Sequence, residues 1–186
     1  MRILFALILL QVSASAADYK SDIAKGVNYS RKSHGLRTLV LNERLNEAAQ
    51  SQADWMASKG EMNHLREMAS DHEEFKFCNY HPANRVINSG YFSFDELFVV
   101  EFSDGKVFVD PKPEANENVG EIIAKAFAPG SNDPYNPKVM IKGWMNSPGH
   151  RKEILTEEYE EFGVGFSSPR FGETYWCVVF ACPIKR

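Results

Sequence analysis

The chain has 186 residues, with 21 Lys and Arg against 25 Asp and Glu, a formal charge of -4, and 12% aromatic residues. A mildly acidic chain without a basic run excludes nucleic acid or an anionic membrane as its main partner, and this aromatic content excludes a disordered tail. The length suits one domain around a single core.

At the N-terminus Arg2 precedes an apolar run from Ile3 to Leu10, and Ala14-Ser15-Ala16 then supplies small residues. That is the pattern of an export signal cleaved after residue 16. The run is far short of the ~20 apolar residues that span a bilayer, and no other stretch comes close. The sequence therefore predicts a signal peptide over 1–16 and one secreted domain over 17–186, extracellular or, in a bacterium, periplasmic. A monomer is expected.

Ser21 or Asp22 can cap a first helix, in which Ile23 and Val27 lie one turn apart and Gly35 marks the stop. "TLVL" follows as a short extended piece. "NERLNEAAQSQADWMASKG" is the clearest helix, with Asn42 as cap and Gly60 as stop. Leu45, Ala48, Ala49, Gln52, Ala53 and Met56 form one stripe along it, and the alanines permit close approach of a neighbour. Beyond His64 the pattern blurs, then "FDELFVVEFSDGKVFVD" gives two β-rich runs around Asp104-Gly105, a hairpin signal. "ENVGEIIAKAFA" reads as a helix ended by Pro129-Gly130, and "PGSNDPYNP" as loop. Pro137 suits the first turn of another helix, with Val139, Met140, Gly143 and Trp144 on one side. Ser147-Pro148-Gly149 must interrupt that helix, and His150 follows the break. "FGVGF" and "TYWCVVFA" close the chain as extended runs. Helices and strands without regular βαβ alternation indicate an α+β sandwich-like domain.

Three cysteines, Cys78, Cys177 and Cys182, suggest one disulfide and one leftover thiol in an oxidising compartment. Cys177 and Cys182 on one strand would stand ~16 Å apart and on opposite faces, too far to pair. Cys78 is then expected to bond Cys182, or else Cys177; three buried thiols are the alternative. No cysteine pair has zinc-ribbon or redox-motif spacing.

The ordered set "NYSR", "LNERLNEAAQSQADWMASKG", "NH", "ENVGE", "GWMNSPGHRKEIL", "FGVGF" and "YWCVVFA" resembles the CAP superfamily, which holds cysteine-rich secretory proteins, antigen 5 and pathogenesis-related type 1 proteins. The "SPGHR" form resembles its shorter SCP-like branch. The resemblance covers Ile23 to Ala181. It implies a three-layer α-β-α sandwich with a central, mostly antiparallel sheet. It also implies a cleft lined by two histidines and one or two acids, here His64, Glu117 and His150. Ser147 stands near the place of the second acid, and Asn116 replaces a family glycine. An insert, roughly Arg66 to Pro113, separates His64 from Glu117 and holds Cys78, His72 and His81.

His64, Glu117 and His150 could hold zinc or another divalent cation with water in the fourth position, and such a site could hydrolyse a substrate. The alternative for the same residues is a hydrogen-bonded cluster that pins loops without metal. Ser147 is half of a G-x-S-x-G elbow, since Met145 takes the first glycine's place. The sequon at Asn28 falls inside the first helix, so glycan attachment is not expected. The sequence thus predicts a secreted binding module for a protein, glycan or lipid ligand, rather than an enzyme. A metal-assisted hydrolase and a lipid or sterol carrier are its alternatives. Partner choice is expected to lie in the insert.

Overall fold

The computed structural model describes residues 19–66, 81–103, 106–112, 118–127, 135–170 and 172–183. The expected signal peptide, Cys78, His72 and Glu117 lie outside these residues. In chain order the elements are α1 (19–33), β1 (Val40–Leu41), α2 (Glu43–Lys59), α3 (Pro82–Asn88), α4 (Phe94–Leu97), β2 (Phe98–Ser103), β3 (Lys106–Pro111), β4 (Val119–Phe127), α5 (Pro137–Asn146), α6 (Pro148–Leu155), β5 (Glu161–Arg170) and β6 (Glu173–Ala181).

The main sheet has strand order β1-β5-β6-β4. Only the two-residue β1 runs parallel to its neighbour; the other pairings are antiparallel. β6 is central, and all nine of its residues are buried. Its side chains alternate between two cores, as the pleat requires. Tyr175, Cys177, Val179 and Ala181 pack with the apolar stripe of α2 and with α3 and α4. Trp176, Val178 and Phe180 pack with Ile23 and Val27 of α1, Trp144 of α5 and Ile154 of α6. Helices on both faces of one sheet make the three-layer α-β-α sandwich that the resemblance implies.

α2 follows its sequence pattern residue by residue. Asn42 caps it by accepting from the Arg44 N–H, Gly60 ends it at φ 71°, and the six stripe residues are its buried ones. The glycines of "FGVGF" explain how it reaches the sheet. A Cβ on Gly163 would lie 2.0 Å from the Leu45 carbonyl carbon, and one on Gly165 2.2 Å from the Ala49 oxygen. Because β1 is so short, most of the outer edge of β5 would be left unpaired. α2 covers it: Asn46 Oδ1 accepts from Val164 N at 2.8 Å, and Gln50 both accepts from Phe166 N at 3.2 Å and donates to its carbonyl at 2.9 Å. Side chains of the helix thus complete the strand's hydrogen bonding.

Three local readings change. "ENVGEIIAKAFA" is a strand from Val119, not a helix, because nine of its residues pair with β6 from Val119↔Ala181 to Phe127↔Glu173. A short run with good helix propensity yields to nine residues of pairing with the central strand, and the first five residues of β4 are buried. α1 is already helical at residue 19, so Ser21 and Asp22 lie inside it. In α5 Trp144 is buried, whereas Val139 is 59% exposed. The hairpin appears as expected, β2 and β3 pairing from Phe98↔Pro111 to Ser103↔Lys106 as a separate two-stranded sheet.

Two residues of "NYSR" fix the helices around the site. Asn28 exchanges two hydrogen bonds with the Leu39 backbone, at 3.0 and 2.8 Å, so its amide is occupied structurally. Arg31, 0% exposed, donates through Nη1 to the carbonyls of Ile154 at 2.9 Å and Thr156 at 2.7 Å. It therefore anchors the C-terminal end of α6, where a cation is favourable.

Candidate functional site: a buried ion pair behind an exposed histidine

Along β4, Val119, Glu121 and Ile123 share the face that carries α2 and α3, so the pleat drives a carboxylate into an apolar layer. Its side chain is 1% exposed. Arg85 of α3, 0% exposed in its side chain, donates from Nη2 to Glu121 Oε2 at 2.6 Å and to the His64 carbonyl at 3.1 Å. His64 Nδ1 donates to Glu121 Oε1 at 2.9 Å, and the Cys177 thiol donates to Oε2 at 3.4 Å. Burial alone would raise the Glu121 carboxyl pKa. The Arg85 charge and the His64 and Arg85 hydrogen bonds outweigh it, and the carboxyl is held below its ordinary value. Burial and the same carboxylate push the Cys177 thiol well up.

His64 is the exposed end of this chain of contacts, its side chain 46% accessible. With Nδ1–H on the carboxylate, the neutral ring presents a lone pair at Nε2. A carboxylate behind an imidazole fixes both its tautomer and its direction. His150 stands in the first turn of α6, behind the Pro148 break, and its Nδ1 lies 2.8 Å from Ser147 Oγ. Ser147 is the N-cap residue of α6, yet its hydroxyl makes no capping bond and holds the imidazole instead. Burial, and then the charge of His64, keep the His150 pKa below its usual value.

Of the expected residues, His150 and Ser147 share a hydrogen bond, His64 bonds Glu121 instead, and Glu117 lies outside the described residues. The residues that sequence reasoning missed are Glu121 and Arg85. Glu121 had a legible signal: in strand register it is an acid flanked by Val119 and Ile123 on a buried face. Arg85 had none, because α3 lies in the insert. Within the insert, His81 caps α3, Pro82 is its first residue, and Asn84 accepts from the His81 N–H.

Neither partner expected for Cys78 is in a disulfide: Cys177 is a thiol sealed in the core with Glu121, and Cys182 is a thiol as well. Cys182 packs on the opposite side of the sheet, its sulfur 3.8 Å from the Pro183 carbonyl. Among the described residues no three His, Cys, Asp or Glu side chains form a group able to hold a metal ion. The donors at hand for a cation are the Nε2 atoms of His64 and His150. Glu121 fits behind His64 as an orienting group, not as a ligand, because both of its oxygens are engaged.

A sheet of this topology, wrapped by helices on both faces, defines a CAP-type domain. Residues 25–180 match the family model for the cysteine-rich secretory protein family, CAP, and the chain belongs to that family. The uncharacterized protein YkwD of Bacillus subtilis is 24% identical over 153 residues, 82% of this chain but only 44% of that protein's length. Among solved structures, the chain resembles an extracellular SCP-domain protein of Bacillus anthracis, with a TM-score of 0.60 and 18% identity over 90% of this chain and 41% of that one. It also resembles an outer surface protein of Borrelia burgdorferi, with a TM-score of 0.59 and 14% identity over 89% and 92% of the two chains. At these identities the likeness is one of fold. No helix among the described residues is long and apolar enough to cross a membrane.

Proposed function

We propose that this CAP protein is an extracellular binding module that takes its ligand in the cleft of His64, Glu121 and His150. The observation that carries the reading is the buried Arg85–Glu121 pair at 2.6 Å. Two charges taken out of water cost several kcal/mol, and apolar residues of similar size commonly serve stability as well or better. Here the pair holds one exposed imidazole in a fixed tautomer, an arrangement typical of a functional site. The extracellular placement is supported by the leader-like residues 1–16 and by relatives described as extracellular and outer-surface proteins.

A divalent cation, zinc by class, would be held by Nε2 of His64 and of His150, with Glu121 and Ser147 orienting the two rings from behind. When bound it would supply Lewis-acid character and an activated water. Calorimetry with zinc on the wild type, His64→Ala and His150→Ala tests this: micromolar binding that both substitutions abolish is the expected result. Metal-dependent cleavage lost in Glu121→Gln would move the reading to a hydrolase. For the binding reading itself, glycan, peptide and lipid arrays are probed with labelled wild type and His64→Ala. Bound probes that the substitution does not weaken would place the site elsewhere.

One such place has its own support. A groove of about 740 Å³ lies between α1 and α5, lined by Tyr19, Tyr29, Ile141 and Met145 with Lys138 and Lys142. Its size and apolar lining suit an amphiphilic ligand, the carrier reading. Displacement of a fluorescent fatty acid, abolished by Ile141→Arg and untouched by His64→Ala, is the outcome that reading requires.

A further inference from the structure

We propose that Gln52 is a positioning residue for the cleft: from inside the core it holds the chain on both sides of His64 and so fixes where that imidazole stands. This rests on the reading of the cleft as a ligand site and names what keeps the site in shape. His64 lies in a stretch, 61–66, that has neither helix nor strand, and residues 61–65 are all exposed. Such a segment has no hydrogen-bond ladder of its own, so its order comes from the side chains of neighbouring elements.

Gln52 is the polar member of the apolar stripe of α2 and is 0% exposed. A buried amide is unfavourable unless it is bonded, and a Leu or Met would fill the same place without that demand. Both ends of this amide go to the segment that carries His64. Nε2 donates at 2.6 Å to the Asn63 carbonyl, which belongs to the peptide bond entering His64. Oε1 accepts at 2.9 Å from Nε of Arg66, two residues further on. Arg66 is held again by Ser51 Oγ, which accepts from Nη2 at 3.0 Å, and by the Trp55 ring, whose centroid lies 5.6 Å from the guanidinium carbon. Ser51, Gln52 and Trp55 all belong to α2, so one helix fixes both ends of the stretch around His64.

Between those two anchors, Arg85 Nη2 donates to the His64 carbonyl at 3.1 Å, and the Leu65 N–H donates to Asn63 Oδ1 at 3.1 Å. The same Arg85 nitrogen bonds Glu121 Oε2, so the His64 backbone and the carboxylate its ring meets share one guanidinium. The 2.9 Å bond from His64 Nδ1 to Glu121 Oε1 is thus set by backbone placement from α2 and α3 and by carboxylate placement from β4. Removing the Gln52 amide releases Asn63 and Arg66 together. Asn63 is exposed and takes water in exchange, so the loss falls on the position of His64 more than on the stability of the fold.

The test uses the full chain as wild type, Gln52→Met, Arg66→Met and Arg66→Lys. Nitrogen NMR of the histidine rings at pH 8 reads the tautomer, backbone relaxation reads the order of residues 63–65, and urea unfolding reads global stability. Wild type is expected to hold His64 as a single tautomer with its proton on Nδ1 and to show order parameters near ~0.85 at 63–65. Gln52→Met is expected to keep an unfolding midpoint near wild type, to populate both His64 tautomers, and to drop those order parameters below about 0.6. A role in packing alone would move the midpoint and leave the tautomer unchanged. Arg66→Met removes one anchor from the surface without touching the core and should give part of the effect; Arg66→Lys, which can still donate to Gln52, should give less. Array probes that bind through His64 should lose about tenfold in affinity in Gln52→Met. A folded Gln52→Met that keeps the single Nδ1–H tautomer and the order of 63–65 overturns the inference. Should that variant not fold, Arg66→Met with both readings unchanged overturns it equally. Array binding indifferent to His64→Ala overturns the cleft reading instead, and the tautomer still decides the role of Gln52.

Discussion

Removing either partner of the Arg85–Glu121 pair is expected to destabilise the protein far more than removing both. Each side chain is 1% exposed or less, and the closest contact is 2.6 Å. At an effective dielectric near 20, unit charges about 4 Å apart attract by about 4 kcal/mol, and a widowed buried charge typically costs about 3–5 kcal/mol. Glu121→Gln and Arg85→Met should therefore each lower the midpoint of thermal unfolding by about 6–20 °C for a domain of this size. The double variant should cost clearly less than the sum, because no uncompensated charge remains. The pH dependence has a definite sign. The folded Glu121 carboxyl sits below its unfolded value of 4.5, so its contribution is fully present above that pH and is lost as pH falls further. The gap between wild type and Glu121→Gln should accordingly narrow in acid. Urea unfolding of all four proteins at pH 7, repeated at lower pH, measures the cycle. Single variants that each cost under about 1 kcal/mol, or costs that simply add, would refute the reasoning.

Gly163→Ala places a methyl carbon 2.0 Å from the Leu45 carbonyl carbon, so α2 must move off β5. A loss of about 1–3 kcal/mol or more is expected in urea unfolding, with weaker protection of the Val164 amide to hydrogen exchange, since Asn46 is displaced with the helix. Glu173 accepts from Lys125 at 3.1 Å, from Tyr175 at 2.9 Å and from Arg170, which bring its pKa from 4.5 to about 2, the Arg170 bond most of all. Its stabilising share is whole above pH 4.5 and disappears as pH falls toward 2, so Glu173→Gln should lie below wild type in midpoint at pH 7 and converge with it in acid. Cys177, buried with its thiol pKa raised, should resist iodoacetamide at pH 8 in the native protein and react on unfolding, as mass spectrometry of the modified peptide would show.

Sequence alone determined what depends on neighbours along the chain. The α2 stripe, its Asn42 cap and its Gly60 stop are set by helical period and backbone freedom, and they stand where the residues put them. The Pro148 break that starts α6 is equally local, since proline cannot continue the preceding helix. The family motifs pointed to the three-layer sandwich. The tertiary structure decided whatever depends on a distant partner. "VGEIIAKAF" has helix-forming residues and became a strand because β6 offers it nine paired residues. That pairing is also what turns Glu121 inward. Arg85 reaches Glu121 over 36 residues of chain, and His64 over 57, separations at which no periodicity survives. The cluster of His64, Glu121 and Arg85 is therefore a product of long-range pairing: local pattern could single out the histidine, and only the folded sheet could choose the acid behind it.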